Sequence, residues 1–178
     1  MFYMISGGSG SGKSEFAESV ILQLSQKEEK RVYIATMMAF DEEAKCKIAR
    51  HRQMRKEKHF STIECFTGLK KVVLPKGCTV LLDCMSNLAA NEMFGEAGTS
   101  SCREVTDRII AGMEELKKGF QNLVVVTGNV FEDGGRYEQS TMEYIRAMAE
   151  INRRLADMAD AVIEVVVGIP VILKGEGI

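Results

Sequence analysis

The chain has 178 residues, a formal net charge of −2, and 46% hydrophobic and 27% charged residues, which is ordinary for one globular domain spanning residues 1–178. This near-neutral charge gives no reason to expect nucleic acid or an anionic membrane as a partner, and no apolar stretch approaches the roughly 20 residues of a transmembrane helix. The 5 cysteines form no C-x-x-C pair, which favours reduced thiols in a cytoplasmic protein over a zinc site.

The motif G-x-x-x-x-G-K-S occupies residues 7–14, directly after an apolar run at residues 2–6. The run predicts a buried strand, so we expect no signal peptide, and residues 15–26 predict a helix with Phe16, Val20 and Leu24 on one face. Strand, glycine-rich turn and helix are the context in which this motif holds triphosphates through backbone N–H groups. Lys13 would reach the β- and γ-phosphates, and the Ser14 hydroxyl would ligate Mg²⁺. The sequence therefore predicts a nucleotide-binding protein.

Apolar runs and helical patterns alternate along the rest of the chain. Strands are predicted at residues 31–36, 61–65, 79–83 and 122–127, and helices at residues 41–56, 86–94, 102–120 and 141–158. Residues 161–167 and 171–173, joined by a turn over 168–170, predict a β-hairpin. Strands that alternate with crossover helices indicate a mainly parallel sheet covered on both faces. We therefore expect an α/β protein with the P-loop NTPase (RecA-like) fold and a C-terminal antiparallel hairpin.

A carboxylate stands where a phosphate-binding protein needs one, at the end of the strand predicted over residues 79–83. Asp83 follows three apolar residues and should lie at the sheet edge where open parallel sheets bind ligands, so we predict that it holds the hydration shell of Mg²⁺. The alternative is that Asp83 caps the helix starting near Ser86. The strand at 122–127 ends without an acid and is the weaker candidate. The D-G-G run at 133–135 is either a loop beside the site or a plain surface turn.

A basic segment surrounds His51. Its members are Lys45, Lys47, Arg50, Arg52, Arg55, Lys56 and Lys58. A charge run is usually a solvated helix face. This one follows the second strand closely, which should place it at the same sheet edge as the phosphate loop. A neutral imidazole can attack phosphorus while the cations absorb charge in the transition state, so His51 is a candidate nucleophile.

Several stretches beyond the phosphate loop resemble one family over nearly the whole chain. They are Y-I-A-T at 33–36, K-I-A-R-H-R at 47–52 with Arg55, Thr62 and Glu64, L-D-C at 82–84 with Asn91, N-R-R-L-A at 152–156 with A-D at 159–160, and G-I-P at 168–170. Together they resemble the bifunctional adenosylcobinamide kinase / adenosylcobinamide-phosphate guanylyltransferases of cobalamin biosynthesis. The phosphate loop is shared by very many proteins, whereas this combination is much more specific.

The resemblance implies two reactions. A triphosphate would phosphorylate the aminopropanol hydroxyl of adenosylcobinamide, and His51 would then take GMP from GTP and pass it on to give adenosylcobinamide-GDP. The implied catalytic residues are His51 and Lys13, and the implied Mg²⁺ ligands are Ser14 and Asp83. The implied nucleotide-binding residues are Gly7, Gly8, Ser9, Gly10, Ser11, Gly12, Lys13, Ser14, Thr36, Arg52, Arg55, Glu64 and Asp83. The resemblance also implies a homotrimer; the choice between GTP and ATP is not readable, because the loop holds only phosphates.

The chain departs from the family pattern at several positions. Gly10 stands where the family usually has an arginine, Lys56 stands where it has a proline, and Gly128-Asn129 replace an asparagine-glutamate pair. Two other functions therefore stay open. One is a P-loop kinase for another alcohol, which would have no use for His51, and the other is a nucleotide-binding protein that lacks one of the two activities. We expect His59 at the surface, and the helices at 102–120 and 141–158 either at a subunit interface or packed within one subunit.

Overall fold

The computed structural model describes residues 1–25, 29–95, 98–130 and 137–176, so the D-G-G run at 133–135 lies outside the described residues. Its centre is a seven-stranded sheet in the order β3-β2-β4-β5-β1-β6-β7. The strands are β1 (Phe2–Ser6), β2 (Arg31–Ala35), β3 (Phe60–Glu64), β4 (Cys78–Asp83), β5 (Phe120–Val126), β6 (Ala161–Val166) and β7 (Ile169–Lys174). The described helices are α1 (Lys13–Leu24), α2 (Glu42–Arg55), α3 (Met85–Met93), α4 (Cys102–Leu116) and α5 (Gln139–Met158), with a 3₁₀ turn at Leu69–Lys71.

The sheet is parallel except at its last strand. Strands β1 to β6 pair in parallel, and β7 pairs antiparallel with β6. The prediction of a mostly parallel α/β sheet closed by a C-terminal hairpin is therefore confirmed. The central strands are continuous apolar runs because helices cover both of their faces. Helix α1 packs on one face through Val20 and Ile21, and α3, α4 and α5 pack on the other.

The long helices α4 and α5 bury their apolar sides within the chain itself. Val105, Ile109 and Met113 of α4 are fully buried in the same cluster as Met148 and Ile151 of α5. A capping box at Ser101 and Glu104 fixes the start of α4. Of the two packing arrangements considered for these helices, packing within the subunit accounts for these five side chains.

Two predicted boundaries are wrong. Helix α4 ends at Leu116, and Phe120 begins β5 rather than ending the helix. The Gly119 N–H bonds to the Leu116 carbonyl at 3.0 Å, which closes the helix with a tight turn before the strand begins. The C-terminal hairpin is also tighter than expected, because β7 already starts at Ile169 and the turn consists of Val167 and Gly168.

The parallel topology brings the carboxyl ends of β1 to β6 to one edge of the sheet. The phosphate loop leaves β1, Thr36 follows β2, and Asp83 ends β4. Ala35 pairs with Asp83 in the register of β2 and β4, so the two strands end level with each other. The residues predicted to carry the chemistry therefore share one edge. In the part of the chain that the structure describes, no helix is both long and apolar enough to cross a bilayer.

Candidate functional site

The phosphate loop between β1 and α1 is held by its own backbone and by two neighbouring segments. The Lys13 ammonium donates to the Gly8 carbonyl at 2.8 Å, and the Ser11 N–H donates to the same oxygen at 3.2 Å. The Asn129 N–H, after β5, donates to the Gly7 carbonyl at 3.2 Å, and the Gly168 N–H, in the β6–β7 turn, donates to the Ser11 carbonyl at 2.9 Å. The G-I-P stretch of the tail therefore begins directly beside the phosphate loop.

Two positions of this loop require glycine, Gly7 because of close contacts and Gly12 because of its backbone conformation. A Cβ on Gly7 would lie 2.6 Å from both the Ser11 Oγ and the Val165 carbonyl oxygen. Gly12 is the N-cap of α1 with φ of 90°, in the left-handed region that favours glycine. Helix α1 consequently starts at Lys13, and its N-terminal N–H groups open onto the loop, as phosphate binding requires.

Asp83 ends β4 and accepts a hydrogen bond from the Tyr33 hydroxyl on β2, with 3.1 Å between the oxygen atoms. Burial, reinforced by the charge of Asp83, raises the pKa of Tyr33 well above its ordinary value, so this hydroxyl keeps its proton. The alternative prediction, that Asp83 caps the following helix, is wrong. Cys84 is the N-cap residue of α3, and no side chain hydrogen-bonds to the start of that helix. The carboxylate therefore points toward β2 and α2.

His51 lies on α2, a helix that starts at its capping residue Asp41, whose side chain accepts from the Ala44 N–H at 2.7 Å. The imidazole Nδ1 lies 3.6 Å from the Asp83 Oδ2, and the histidine side chain is 27% exposed. This distance is longer than a hydrogen bond, and the buried Nδ1 has no hydrogen-bond partner among the described residues. The basic segment thus turns its histidine toward the carboxylate that ends β4.

The two arginines that follow His51 have different environments. Arg55 is 7% exposed, and its guanidinium carbon lies 3.4 Å from the centre of the Tyr33 ring, in a cation–π contact. Its Nη1 is buried without a hydrogen-bond partner among the described residues, so it retains a donor for an anion. Arg52 is exposed and pairs with Glu64 of β3 at 3.4 Å.

A cavity of about 870 Å³ lies between α2 and the ends of β2, β3 and β4. His51, Arg52, Arg55, Glu64 and Asp83 all contribute to its walls, whereas no residue from the phosphate loop is among the described lining. A second cavity of about 450 Å³ lies against Gly8 and Ser9 of that loop. The residues predicted to bind the nucleotide are therefore divided between the cavity beneath α2 and the phosphate loop.

Thr36 is buried and ties β2 to the segment after β4 instead of facing the cavity. Its hydroxyl donates to the Cys84 carbonyl and accepts from the Cys84 N–H, both at 2.8 Å. Burial, helped by the charge of Asp83 and opposed in part by that of Lys13, raises the pKa of Cys84 to about 11. The thiol therefore stays protonated and is a poor nucleophile.

Sequence reasoning named Tyr33, Asn91 and Lys58 but did not predict the contacts that they make in the structure. Tyr33 was noted only as part of the Y-I-A-T match. A tyrosine in a buried strand needs a hydrogen-bond partner for its hydroxyl, and this requirement could have identified it. Asn91 donates to the carbonyls of Thr36 and Phe66 at 2.8 and 3.0 Å and so holds the chain after β2. Lys58 pairs with the fully buried Glu18 of α1. His59 is exposed, as expected.

The candidate metal ligands are two oxygen groups, the Ser14 hydroxyl and the Asp83 carboxylate. Such a pair suits Mg²⁺, which needs few protein ligands, better than it suits a metal coordinated only by protein side chains. No group of three or more His, Cys, Asp or Glu side chains that could hold a metal occurs among the described residues. Mg²⁺ is commonly bound through one or two protein oxygens together with phosphates and water, which the Ser14 hydroxyl and the Asp83 carboxylate could supply.

Two solved structures resemble this fold over most of the chain. One is an ATPase domain that matches 92% of this chain and 68% of its own, with a TM-score of 0.51 and 11% identity. The other is the flagellar accessory protein FlaH from Methanocaldococcus jannaschii, which matches 98% of this chain and 78% of its own, with a TM-score of 0.52 and 15% identity. At such low identity the likeness bears on the fold alone, and it agrees with the predicted P-loop NTPase type.

Sequence relatives are more informative. The bifunctional adenosylcobalamin biosynthesis protein CobU of Escherichia coli (strain K12) is 31% identical over 98% of this chain and 100% of its own length. The protein of the same name from Salmonella typhimurium (strain LT2) is 30% identical, with the same coverage of 98% and 100%. The model of the cobinamide kinase / cobinamide phosphate guanyltransferase family matches residues 3–173. With its phosphate loop and its histidine facing the acid of β4, the chain belongs to the cobinamide kinase / cobinamide phosphate guanyltransferase family.

Proposed function

We propose that this protein phosphorylates adenosylcobinamide with a nucleoside triphosphate and then transfers GMP from GTP, through a guanylyl-histidine at His51, to give adenosylcobinamide-GDP. The observation that carries this proposal is the position of His51 beside Asp83, in a cavity that also contains Arg52 and Arg55. A kinase that acts only through its phosphate loop has no use for a histidine and two arginines in a separate cavity. The cavity therefore favours the bifunctional assignment over a kinase for another alcohol.

The kinase step uses the phosphate loop. Its N–H groups and the start of α1 hold the β- and γ-phosphates, and Lys13, which bends back onto the Gly8 carbonyl, swings out to the phosphates. Phosphoryl transfer to an alcohol depends on positioning and charge stabilisation and requires no protein nucleophile. Gly7 to Ser14 are therefore assigned to both reactions, whereas His51 is assigned to guanylyl transfer alone.

The guanylyl-transfer step uses the cavity beneath α2. The imidazole of His51 attacks the α-phosphorus of GTP and expels pyrophosphate, and the cobinamide phosphate later displaces GMP from the ring. Arg55 offers its free Nη1, and Arg52 and Glu64 stand at the mouth, where they meet the rest of the nucleotide. Thr36 supports the site from behind through its bonds to Cys84.

Mg²⁺ is proposed as the metal, held by Ser14 and, through water, by Asp83. The ion would neutralise charge on the phosphates as they transfer. The Asp83 Oδ2 accepts from the Tyr33 hydroxyl and faces His51, so we assign the other carboxylate oxygen to the hydrated ion.

The test is to incubate the protein with GTP radiolabelled at the α-phosphate, denature it, and measure label on the chain. We expect an acid-labile, base-stable adduct in the wild type, none in His51→Ala, and an unchanged adduct in the matched variant His59→Ala, whose side chain is exposed. The His51→Ala protein should still bind nucleotide at the phosphate loop. If the wild-type protein binds GTP tightly but never acquires label, the guanylyl-transfer half of the proposal is wrong.

We further propose that the protein is a homotrimer and acts in the cytoplasm. The edge strand β7, which pairs only with β6 among the described strands, supports an assembly, because Ile169, Ile172 and Leu173 on it are 66%, 52% and 59% exposed. The free thiols of all five cysteines support a reducing compartment. Light scattering at micromolar concentration tests the assembly, and a monomer there would contradict it.

A further inference from the structure

We propose that Asp83 and Tyr33 are positioning residues that keep the proton of His51 on Nδ1, so that the nucleophilic atom is Nε2. The proposal rests on the guanylyl transfer proposed above and adds which nitrogen carries GMP and which two residues determine it. The sequence predicted Asp83 as a Mg²⁺ ligand and a nucleotide-binding residue, and it gave Tyr33 no role.

The imidazole ring of His51 lies beside the carboxylate of Asp83. The His51 Nδ1 lies 3.6 Å from the Asp83 Oδ2, and the Asp83 side chain is 9% exposed. The Nδ1 is buried and lacks a hydrogen-bond partner among the described residues, whereas Asp83 has acceptor capacity left. A hydrogen bond from a buried N–H to a buried carboxylate is favourable, because either group is costly to leave unpaired. Such bonds are often long in the free enzyme and shorten only when the substrate is bound. A proton on Nδ1 leaves a lone pair on Nε2.

The Tyr33 hydroxyl holds the Asp83 carboxylate in place. The Tyr33 hydroxyl donates to the same Oδ2 that faces His51, at 3.1 Å. The Tyr33 ring is itself fixed between Arg55, at 3.4 Å from its centre, and Phe60, at 6.2 Å between ring centres. A carboxylate anchored by a rigid neighbour cannot rotate away from the imidazole, so Tyr33 acts on His51 through Asp83.

The chemistry balances with the proton in this position. The Nε2 lone pair forms a bond to the α-phosphorus of GTP as the bond to the bridging oxygen breaks, and pyrophosphate leaves with that electron pair. The ring, now substituted on Nε2 and still protonated on Nδ1, carries a positive charge that Asp83 stabilises. A phosphate oxygen of cobinamide phosphate then attacks phosphorus, the N–P bond breaks, and the electron pair returns to Nε2. The histidine neither gains nor loses a proton in either step.

The first experiment identifies the nitrogen that carries GMP. The adduct formed from wild-type protein and GTP is digested to a histidine-containing peptide, and ³¹P and ¹H NMR distinguish phosphoramidates on Nε2 from those on Nδ1. We expect the Nε2 adduct. An Nδ1 adduct would overturn the inference while leaving the proposed function standing, whereas no adduct at all would overturn the proposed function itself.

The second experiment separates positioning from folding by removing single hydroxyl groups. Tyr33→Phe keeps the ring under Arg55 but removes the donor to Asp83, and we expect the rate of adduct formation at saturating GTP to fall about tenfold. Tyr3→Phe is the matched control, since Tyr3 is equally buried in the sheet and its hydroxyl donates to the Met1 sulfur, at 3.5 Å, away from Asp83. Adduct formation and kinase activity should both be unchanged in Tyr3→Phe. Equal adduct rates in Tyr33→Phe and the wild type would refute the role of Tyr33.

The third experiment reads the tautomer directly, without Mg²⁺. The chain has only 2 histidines, so ¹⁵N–¹H two-bond correlation spectra of the neutral rings can be assigned with the variant His59→Gln. Free imidazole side chains in water favour the proton on Nε2, so an Nδ1–H form of His51 is diagnostic of the Asp83 contact. We expect that form in the wild type and its loss in Asp83→Asn. A proton on Nε2 of His51 in the wild-type protein would overturn the inference.

Discussion

Replacing Lys58 by methionine should destabilise the protein by about 3 kcal/mol, because it strands a carboxylate in the interior. Glu18 on α1 has a side chain that is 0% exposed, and Lys58, just after α2, is its ion-pair partner and is 26% exposed. The second oxygen of Glu18, Oε1, has no hydrogen-bond partner among the described residues. The buried charge therefore depends on Lys58 for its compensation.

The magnitude follows from the burial of each partner. Removing one member of a buried pair typically costs about 3–5 kcal/mol, and the lower end applies because water reaches one side of Lys58. Glu18→Gln should cost less, about 1–3 kcal/mol, because a neutral amide is cheaper to bury than an unpaired carboxylate. The double variant Glu18→Leu/Lys58→Met should lie within about 1 kcal/mol of the wild type, since apolar pairs of similar volume often replace buried ion pairs without loss.

The assay is urea denaturation followed by circular dichroism, with the free energy of unfolding taken from the midpoint and the slope. Lys45→Met serves as the control, because Lys45 forms an exposed ion pair with Glu42, and exposed pairs contribute about 0–1 kcal/mol. If Lys58→Met costs no more than Lys45→Met, or if the separate effects of Glu18→Leu and Lys58→Met simply add within about 0.5 kcal/mol, the reasoning fails.

Four further substitutions probe the phosphate loop and its neighbours. Lys13→Ala should raise the dissociation constant for GTP at least about tenfold by titration calorimetry and lower both activities, because it removes a charge-assisted contact to the phosphates; unchanged binding would contradict the assignment. Gly7→Ala should abolish nucleotide binding because its Cβ meets the Val165 carbonyl at 2.6 Å, whereas Gly8→Ala, with open space at that point, should bind nearly as the wild type does. Val167→Asn should raise the stability by about 1 kcal/mol, because Val167 has φ of 49° in the hairpin turn and asparagine tolerates this conformation; a lower melting temperature would refute that.

The fold was largely predictable because its signals are local. The central strands are short, continuous apolar runs, and the phosphate loop states both where β1 ends and where α1 begins. The errors came where a pattern continued past a turn, as when Phe120, four residues after Leu116, extended the predicted helix into β5. Residue spacing alone could not separate the last turn of an amphipathic helix from the first residues of a buried strand.

The site was predictable only in part, because its key contacts join residues distant in sequence. Tyr33 and Asp83 are separated by 50 positions, and their hydrogen bond exists only because β2 lies next to β4 in the sheet. Nothing in a single sequence states that strand order. Asp83 was found from its place at the end of a strand, but the tyrosine that orients it looked like one more core residue.

Helix α2 shows why the two interpretations of the basic segment each describe a part of it. Its first half is a solvated charged face, where Lys45 pairs with Glu42 and Lys47 with Glu43, both at 2.6 Å. Among the α2 side chains that the structure describes, only Arg55 is buried, so this helix gains little from apolar packing.

The contacts that dock α2 and the turn after it are therefore polar. Arg55 stacks on the tyrosine that holds Asp83, and Lys58, three residues further on, reaches the buried acid of α1. A helix of this kind cannot be stabilised by enlarging its apolar face without filling the cavity that it covers. Substitutions of Arg55 should consequently lower guanylyl transfer more than they lower global stability, because the core clusters formed by the sheet and the other helices contain no described residue of α2.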